Sequence, residues 1–153
     1  LSQHPTDLSA TMLLAEQLEL AGLPEQARTL YQQSPLLDTQ AVLQNNLAVL
    51  LFDTDPQQAL KLAQKAHQAM PEQPDILDTY GYALVKAGQA EQGLGVLRDA
   101  EIRQPNSSLL QLHIAAALQQ LKRPEEAKAV LLQLKDRPLS AAEQKLLQQL
   151  QKN

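Results

Sequence analysis

The 153-residue sequence has no cysteine and no tryptophan, and its only aromatics are Tyr31, Phe52, Tyr80 and Tyr82. Without cysteine there can be no disulfide framework, zinc ribbon or thiol nucleophile, and the redox compartment is left open. Basic residues are also short, 13 Lys and Arg against 17 Asp and Glu, for a net charge of −4. That balance argues against a phosphate-binding surface, because nucleic-acid binders cluster Lys and Arg on one face. No apolar run approaches the roughly 20 residues of a membrane span, so insertion of this segment is not expected. The N-terminus, Leu1-Ser2-Gln3-His4-Pro5, has no initiator Met and does not read as a signal peptide; it reads as a cut or processed end. What is abundant is Leu, Ala, Glu, Lys and Gln, with 23 Gln alone, and 44% of residues are hydrophobic. Such a chain can bury a core, and its propensities favour helices over strands.

A repeat runs through the helical pattern. In Pro74–Gly88, Leu77, Gly81 and Leu84 punctuate one stretch; Gly93, Leu97, Ala100 and Pro105 punctuate the next. Small residues recur at Ala15, Ala48, Gly81 and Ala115, spaced 33, 33 and 34 apart. A second set, Ala27, Ala59, Gly93 and Ala127, is spaced 32, 34 and 34. Two independent markers with one period define a repeat architecture.

Each repeat reads as a helical hairpin. Apolar residues recur at three- and four-residue spacing over 8–21, 41–52, 74–87 and 108–121. Breaks follow at 22–24, 53–56, 88–89 and 122–124, supplying Gly for a left-handed cap or Pro for the first turn of the next helix. Second helices are predicted over 25–33, 57–69, 90–103 and 125–135, with Pro71 and Pro105 just beyond two of them. The small residues mark where paired helices press together. Gly95 has no such reason, and should cost about 1 kcal/mol against Ala in a helix interior. Ser9, Ser107, Ser108 and Ser140 stand near helix starts as candidate caps, and Ser34 closes a second helix. Ser140-Ala141-Ala142-Glu143 reads as a capping box opening a further helix with Leu146, Leu147 and Leu150.

The spacing resembles the tetratricopeptide repeat, whose pattern is W-x2-L-G-x2-Y, then A-x3-F, A and P over about 34 residues. Gly81 takes the Gly position, with Leu77 at the Trp, Tyr80 at the Leu, Leu84 at the Tyr, Gly93 at the Ala, Leu97 at the Phe, Ala100 at the second Ala and Pro105 at the Pro. The large aromatics are replaced by Leu. The resemblance implies an all-α fold, a right-handed α-α superhelix of four hairpins at 8–40, 41–73, 74–107 and 108–137, with a capping helix over 140–151. Pro5 precedes Leu8 as Pro71 precedes Pro74, so it reads as the closing proline of a further repeat. The chain is therefore expected to be one array, the C-terminal part of a longer repeat protein. The runs Asn45–Leu51 and Asp78–Tyr82 further resemble bacterial envelope tetratricopeptide proteins, in particular the lipoproteins that accompany exosortase and exopolysaccharide export, with pilus-assembly proteins as the alternative. That resemblance implies a periplasmic or outer-membrane-anchored protein; without it a cytoplasmic one.

Motifs for chemistry are lacking. His4, His67 and His113 have no i,i+4 partner, so no metal site is expected. No G-x-S-x-G, P-loop or G-x-G-x-x-G occurs, and Glu125-Glu126 reads as a solvated helix start. The expectation is a non-catalytic scaffold without a cofactor, and the sequence does not determine its oligomeric state. By resemblance, the first helix of each repeat lines a concave groove. The expected peptide-binding residues are Asn45, Asn46, Val49 and Phe52, then Asp78, Thr79 and Tyr82, then Leu112, His113 and Ala116. Neighbouring groove positions are Met12, Leu13, Glu16 and Glu19 in the first repeat, Asp53 in the second, Asp75, Val85 and Lys86 in the third, and Gln119 and Gln120 in the fourth. The Asn pair is suited to holding a peptide backbone, since each amide both donates and accepts; the alternative is that Asn46 bonds within the scaffold and Tyr82 packs between helices. A carboxylate ligand would meet Glu16, Asp75 and Asp78 and be repelled. The expected partner is an extended peptide or a helix, neutral or basic and partly apolar; the alternative is a structural, self-associating segment.

Overall fold

Residues 7–152 are described in a computed structural model, and every regular element among them is an α-helix. His4 and Pro5 lie outside the described residues. Packing divides the chain into two units, Leu1–Pro71 and Glu72–Asn153.

The first unit holds α1 (Leu8–Leu20), α2 (Pro24–Gln33), α3 (Ala41–Leu51) and α4 (Pro56–Ala69). The helices form as the periodicity predicts, and side-chain caps secure two starts. Asp7 Oδ1 accepts from the Ala10 N–H at 3.1 Å, and Asp55 Oδ1 from the Gln58 N–H at 3.0 Å. Ser9 is not a cap; it lies inside the first turn of α1, where Asp7 already fills that place. α1 pairs with α2 and α3 with α4, while α2 rests on α3. Ala15, Ala27, Ala48 and Ala59 have no exposed surface, so the small residues do mark where paired helices meet.

The second unit holds α5 (Pro74–Lys86), α6 (Ala90–Arg103), α7 (Ser108–Gln120), α8 (Pro124–Leu132) and α9 (Ala141–Gln151). α5 pairs with α6 and α7 with α8; α7 also packs on α6 and α5, and α9 on α7. α5 and α6 approach closely at their glycines. A methyl group at Gly81 would come within 2.8 Å of Leu97 Cγ, and one at Gly93 within 2.7 Å of the Gly81 carbonyl oxygen. Leu77, Leu84 and Leu97, at the positions of the family's aromatics, are all buried. Ser107 caps α7, and Ser140 with Glu143 forms both bonds of the capping box on α9. Ser108 is instead the first residue of α7.

Three of the hairpin turns share one construction. After α1, α5 and α7 the chain enters the left-handed region at Gly22 (φ 74°), Gly88 (φ 86°) and Lys122 (φ 58°). In each, the next residue's N–H returns to the helix: Leu23 to the Leu18 oxygen, Gln89 to Leu84 and Arg123 to Leu118. This is the Schellman closure, and Lys122 adopts it without glycine's freedom. One predicted boundary moves: α8 stops at Leu132, not 135. Gln133, Leu134 and Lys135 each bond back three residues, tightening the chain out of the α-helix ahead of Pro138.

Candidate functional site

In the first unit, α1, α2 and α3 enclose a groove of about 750 Å3, lined by Ser9, Met12, Leu13, Glu16, Glu19, Leu20, Tyr31, Asn46 and Val49. Six of these are groove positions named from the sequence; Ser9, Leu20 and Tyr31 are additions. Leu13, Leu20 and Val49 are 60%, 76% and 44% exposed, an apolar surface open to a partner. The charges lining it are both acidic. Burial, reinforced by Glu16, holds the Glu19 carboxyl above the usual glutamate range.

The Asn pair is engaged within the scaffold. Asn46 Nδ2 donates to the Tyr31 hydroxyl at 3.3 Å, and Asn45 Nδ2 donates to Asn46 Oδ1 at 3.4 Å. Asn45 Oδ1 is buried without a hydrogen-bond partner. This chain of amides sets the Asn46 side chain at the groove wall, with part of its bonding capacity left. Burial pushes the Tyr31 phenol above its ordinary value, partly offset by the Asn46 bond. Phe52 is buried and lies away from the groove lining.

In the second unit the predicted residues form a packed cluster. His113 Nδ1 lies 2.7 Å from Asp78 Oδ1, with both side chains buried. Tyr82 stacks on His113 with ring centroids 3.8 Å apart and planes 11° apart. Lys86 Nζ stands 5.9 Å from the Tyr82 centroid, within cation–π range. Asp78, Thr79, Tyr82 and His113 are each under a tenth exposed, and Leu112 has no exposed surface; Ala116 is half-buried. Beside the cluster runs a narrower cleft of about 340 Å3, lined by Tyr82, Val85, Lys86, Ala116, Gln119, Gln120 and Leu150. Of the groove positions named from the sequence, Tyr82, Val85, Lys86, Ala116, Gln119 and Gln120 line this cleft, while Asp78, Thr79, Leu112 and His113 stand outside the lining. Leu150 comes from α9, which Gln119 ties down by donating to the Leu150 carbonyl at 2.6 Å. Sequence reasoning missed it, although the Leu146, Leu147 and Leu150 stripe carried the signal.

Among the described residues there is no group of three or more His, Cys, Asp or Glu that could hold a metal, and no helix long and apolar enough to cross a membrane. Chemically, the site offers apolar contact, two carboxylates and a few amide groups, which suits recognition of a polypeptide.

Comparison with known proteins gives the family and the fold. A family model described as anaphase-promoting complex, cyclosome, subunit 3 matches residues 54–134, over half of the chain. No curated protein sequence matches the chain. Among solved structures, the thermophilic TPR protein TTC0263 of Thermus thermophilus is 23% identical, with a TM-score of 0.73 over 93% of this chain and 80% of that one. MamA MSR-1 is 17% identical, with a TM-score of 0.63 over 99% and 81% of the two chains. MamA AMB-1 is 16% identical, with a TM-score of 0.64 over 94% and 86%. At these identities the likeness is one of fold, an α-α solenoid of tetratricopeptide type.

Proposed function

Since the chain belongs to the family of anaphase-promoting complex, cyclosome, subunit 3, a tetratricopeptide-type family of protein-interaction scaffolds, we propose that it holds a partner segment against the first helices of its repeats. The segment is neutral or basic, carries apolar side chains and lies extended or as a helix. The observation that carries this reading is the first-unit groove, where Leu13, Leu20 and Val49 are exposed beside Glu16 and Glu19 and no cation is among the described residues of the wall. Apolar anchors supply the contact area, and the carboxylates select the charge of the ligand. Asn46 contributes its remaining amide capacity. In the second unit, Lys86 and Ala116 offer the accessible edge of a cluster that Asp78, Thr79, Tyr82, Leu112 and His113 support. The role is non-catalytic.

The setting we propose is a multiprotein assembly of a bacterial envelope, of the secretion or exopolysaccharide-export kind, with pilus assembly as the alternative. Its support is the likeness of Asn45–Leu51 and Asp78–Tyr82 to such proteins, and a family named for a subunit of a large complex. Fractionation of cells producing the tagged natural gene product tests the compartment; recovery in the cytosol alone refutes the envelope setting.

The groove itself is tested by fluorescence anisotropy with a labelled peptide alternating Leu with Lys. Leu13→Ser with Val49→Ser, both at exposed positions, should weaken binding by about tenfold or more, as should Glu16→Lys with Glu19→Lys. Unchanged affinity in both double variants refutes the groove.

A further inference from the structure

A larger concavity of the second unit, about 1010 Å3 between α8 and α9, adjoins the narrower cleft at Gln119 and Leu150. It arises from a break in the packing pattern. Between the third and fourth repeats the second helix closes on the next first helix, α6 on α7. At the following step α9 packs on α7 but barely meets α8. The short α8 and the turns at 133–136 leave the two helices parted, with Leu131, Leu132, Leu139 and Leu147 between them. Leu132 is 62% exposed, and the other three are half-buried.

The rim of this cleft has one sign. Lys128, Lys135 and Arg137 line it, and no carboxylate does among the described residues, in a chain whose net charge is −4. The nearby acids are turned elsewhere. Glu143 accepts from the Ser140 N–H at 2.7 Å, and Glu126 is paired with Arg123. Asp136, exposed in the turn, and Glu125, exposed at the start of α8, do not line the cleft. Arg137 donates to the Asn106 carbonyl at 3.0 Å, and no ion pair to Lys128 or Lys135 occurs among the described residues.

We propose that the α8–α9 cleft is a second docking site, which takes an amphipathic helix of a partner protein whose leucine-type stripe is flanked by Asp and Glu. A helix is the occupant because the cleft is itself bounded by two helices and lined by leucines, which a stripe at i, i+3, i+4 and i+7 can fill. The acidic flanks follow from three cations that no carboxylate of the lining opposes; their aliphatic stems extend the apolar floor, and Arg137 keeps further N–H donors beside its bond to Asn106. This site selects the opposite charge from the first-unit groove and is independent of that reading.

The test uses the 153-residue chain and three labelled helical peptides sharing a length: leucine stripe with Glu flanks, the same stripe with Lys flanks, and Glu flanks with the stripe changed to Ser. The Leu–Glu peptide should bind, with affinity falling as salt is raised, and the Ser peptide should not. Lys128→Glu with Lys135→Glu should weaken the Leu–Glu peptide by about tenfold, because each rim pair is worth a few-fold and reversal turns attraction into repulsion. Leu132→Ser, at an exposed position, should weaken it comparably. Equal affinity for Glu- and Lys-flanked peptides at this cleft, or indifference to both the Lys128/Lys135 and Leu132 variants, overturns the proposal. Sedimentation showing a dimer that Leu132→Ser dissolves overturns it as well, by making a second copy the occupant.

Discussion

Three glycines of one hairpin should respond to the same substitution in three different ways. In a helix interior, Gly→Ala gains about 1 kcal/mol from propensity alone. Gly95 is exposed and an added methyl meets nothing within 4 Å, so Gly95→Ala should stabilise by that full amount. At Gly81 the methyl would stand 2.8 Å from Leu97 Cγ, 2.9 Å from its Cδ2 and 3.1 Å from its backbone nitrogen. The Leu97 side chain can turn but its backbone cannot, so the usual overpacking cost of about 1–3 kcal/mol applies. Set against the propensity gain, Gly81→Ala should lie between neutral and about 2 kcal/mol destabilising. At Gly93 the methyl meets the Gly81 carbonyl oxygen at 2.7 Å, Val85 Cγ2 at 2.7 Å and the Val85 nitrogen at 3.0 Å. Two of these are backbone atoms of the facing helix, so relief requires the helices to part. Gly93→Ala should therefore cost about 2 kcal/mol or more net, the upper end of overpacking less the propensity gain. Urea denaturation followed by circular dichroism in the far ultraviolet measures all three. The order Gly95→Ala, wild type, Gly81→Ala, Gly93→Ala from most to least stable is expected. A Gly93→Ala variant as stable as wild type would refute the close approach of α5 and α6.

Four further outcomes follow from single contacts. His113→Phe keeps a ring against Tyr82 but leaves the buried Asp78 carboxylate without its partner, a loss of about 1–3 kcal/mol; adding Asp78→Leu should recover part of it in a double-mutant cycle. Lys122→Gly should stabilise by about 0.5–1 kcal/mol, because φ is already positive there; a lower urea midpoint would contradict the turn geometry. Ser140→Ala removes one half of the capping box and should cost about 1 kcal/mol, read as faster amide exchange in α9 before the rest of the unit. With the Glu19 carboxyl held above its usual range, a cationic peptide should bind the first-unit groove more tightly as pH rises through that range, and Glu19→Gln should flatten the dependence; a flat profile in the wild type would remove Glu19 from the site.

Much of the fold was legible because it is written in local terms. Periodicity placed the helices within a residue or two, and Pro24, Pro56 and Pro124 marked second-helix starts. The exception was α8, whose last turn tightens over residues 133–135, a choice between two hydrogen-bond patterns that apolar spacing does not distinguish. The candidate site was legible in part. Repeat register put Met12, Leu13, Glu16, Glu19, Asn46 and Val49 on one wall, and the groove has that lining. Register could not say which of those side chains face a partner and which face one another. Asn46 bonds to Tyr31, fifteen residues away, and His113 to Asp78, thirty-five away, and no short-range pattern encodes either pair.

The scarcity of aromatics shows where that boundary lies. The sequence by itself determined an all-helical repeat with Leu in the aromatic positions, because propensity, period and turn chemistry act over a few residues at a time. Only the tertiary structure decided that Tyr82 stacks on His113 and Phe52 is buried, and that two carboxylates face one groove while three cations rim another cleft. Those arrangements depend on how closely helices approach and where the last hairpin parts from α9, which are properties of packed side chains from distant repeats.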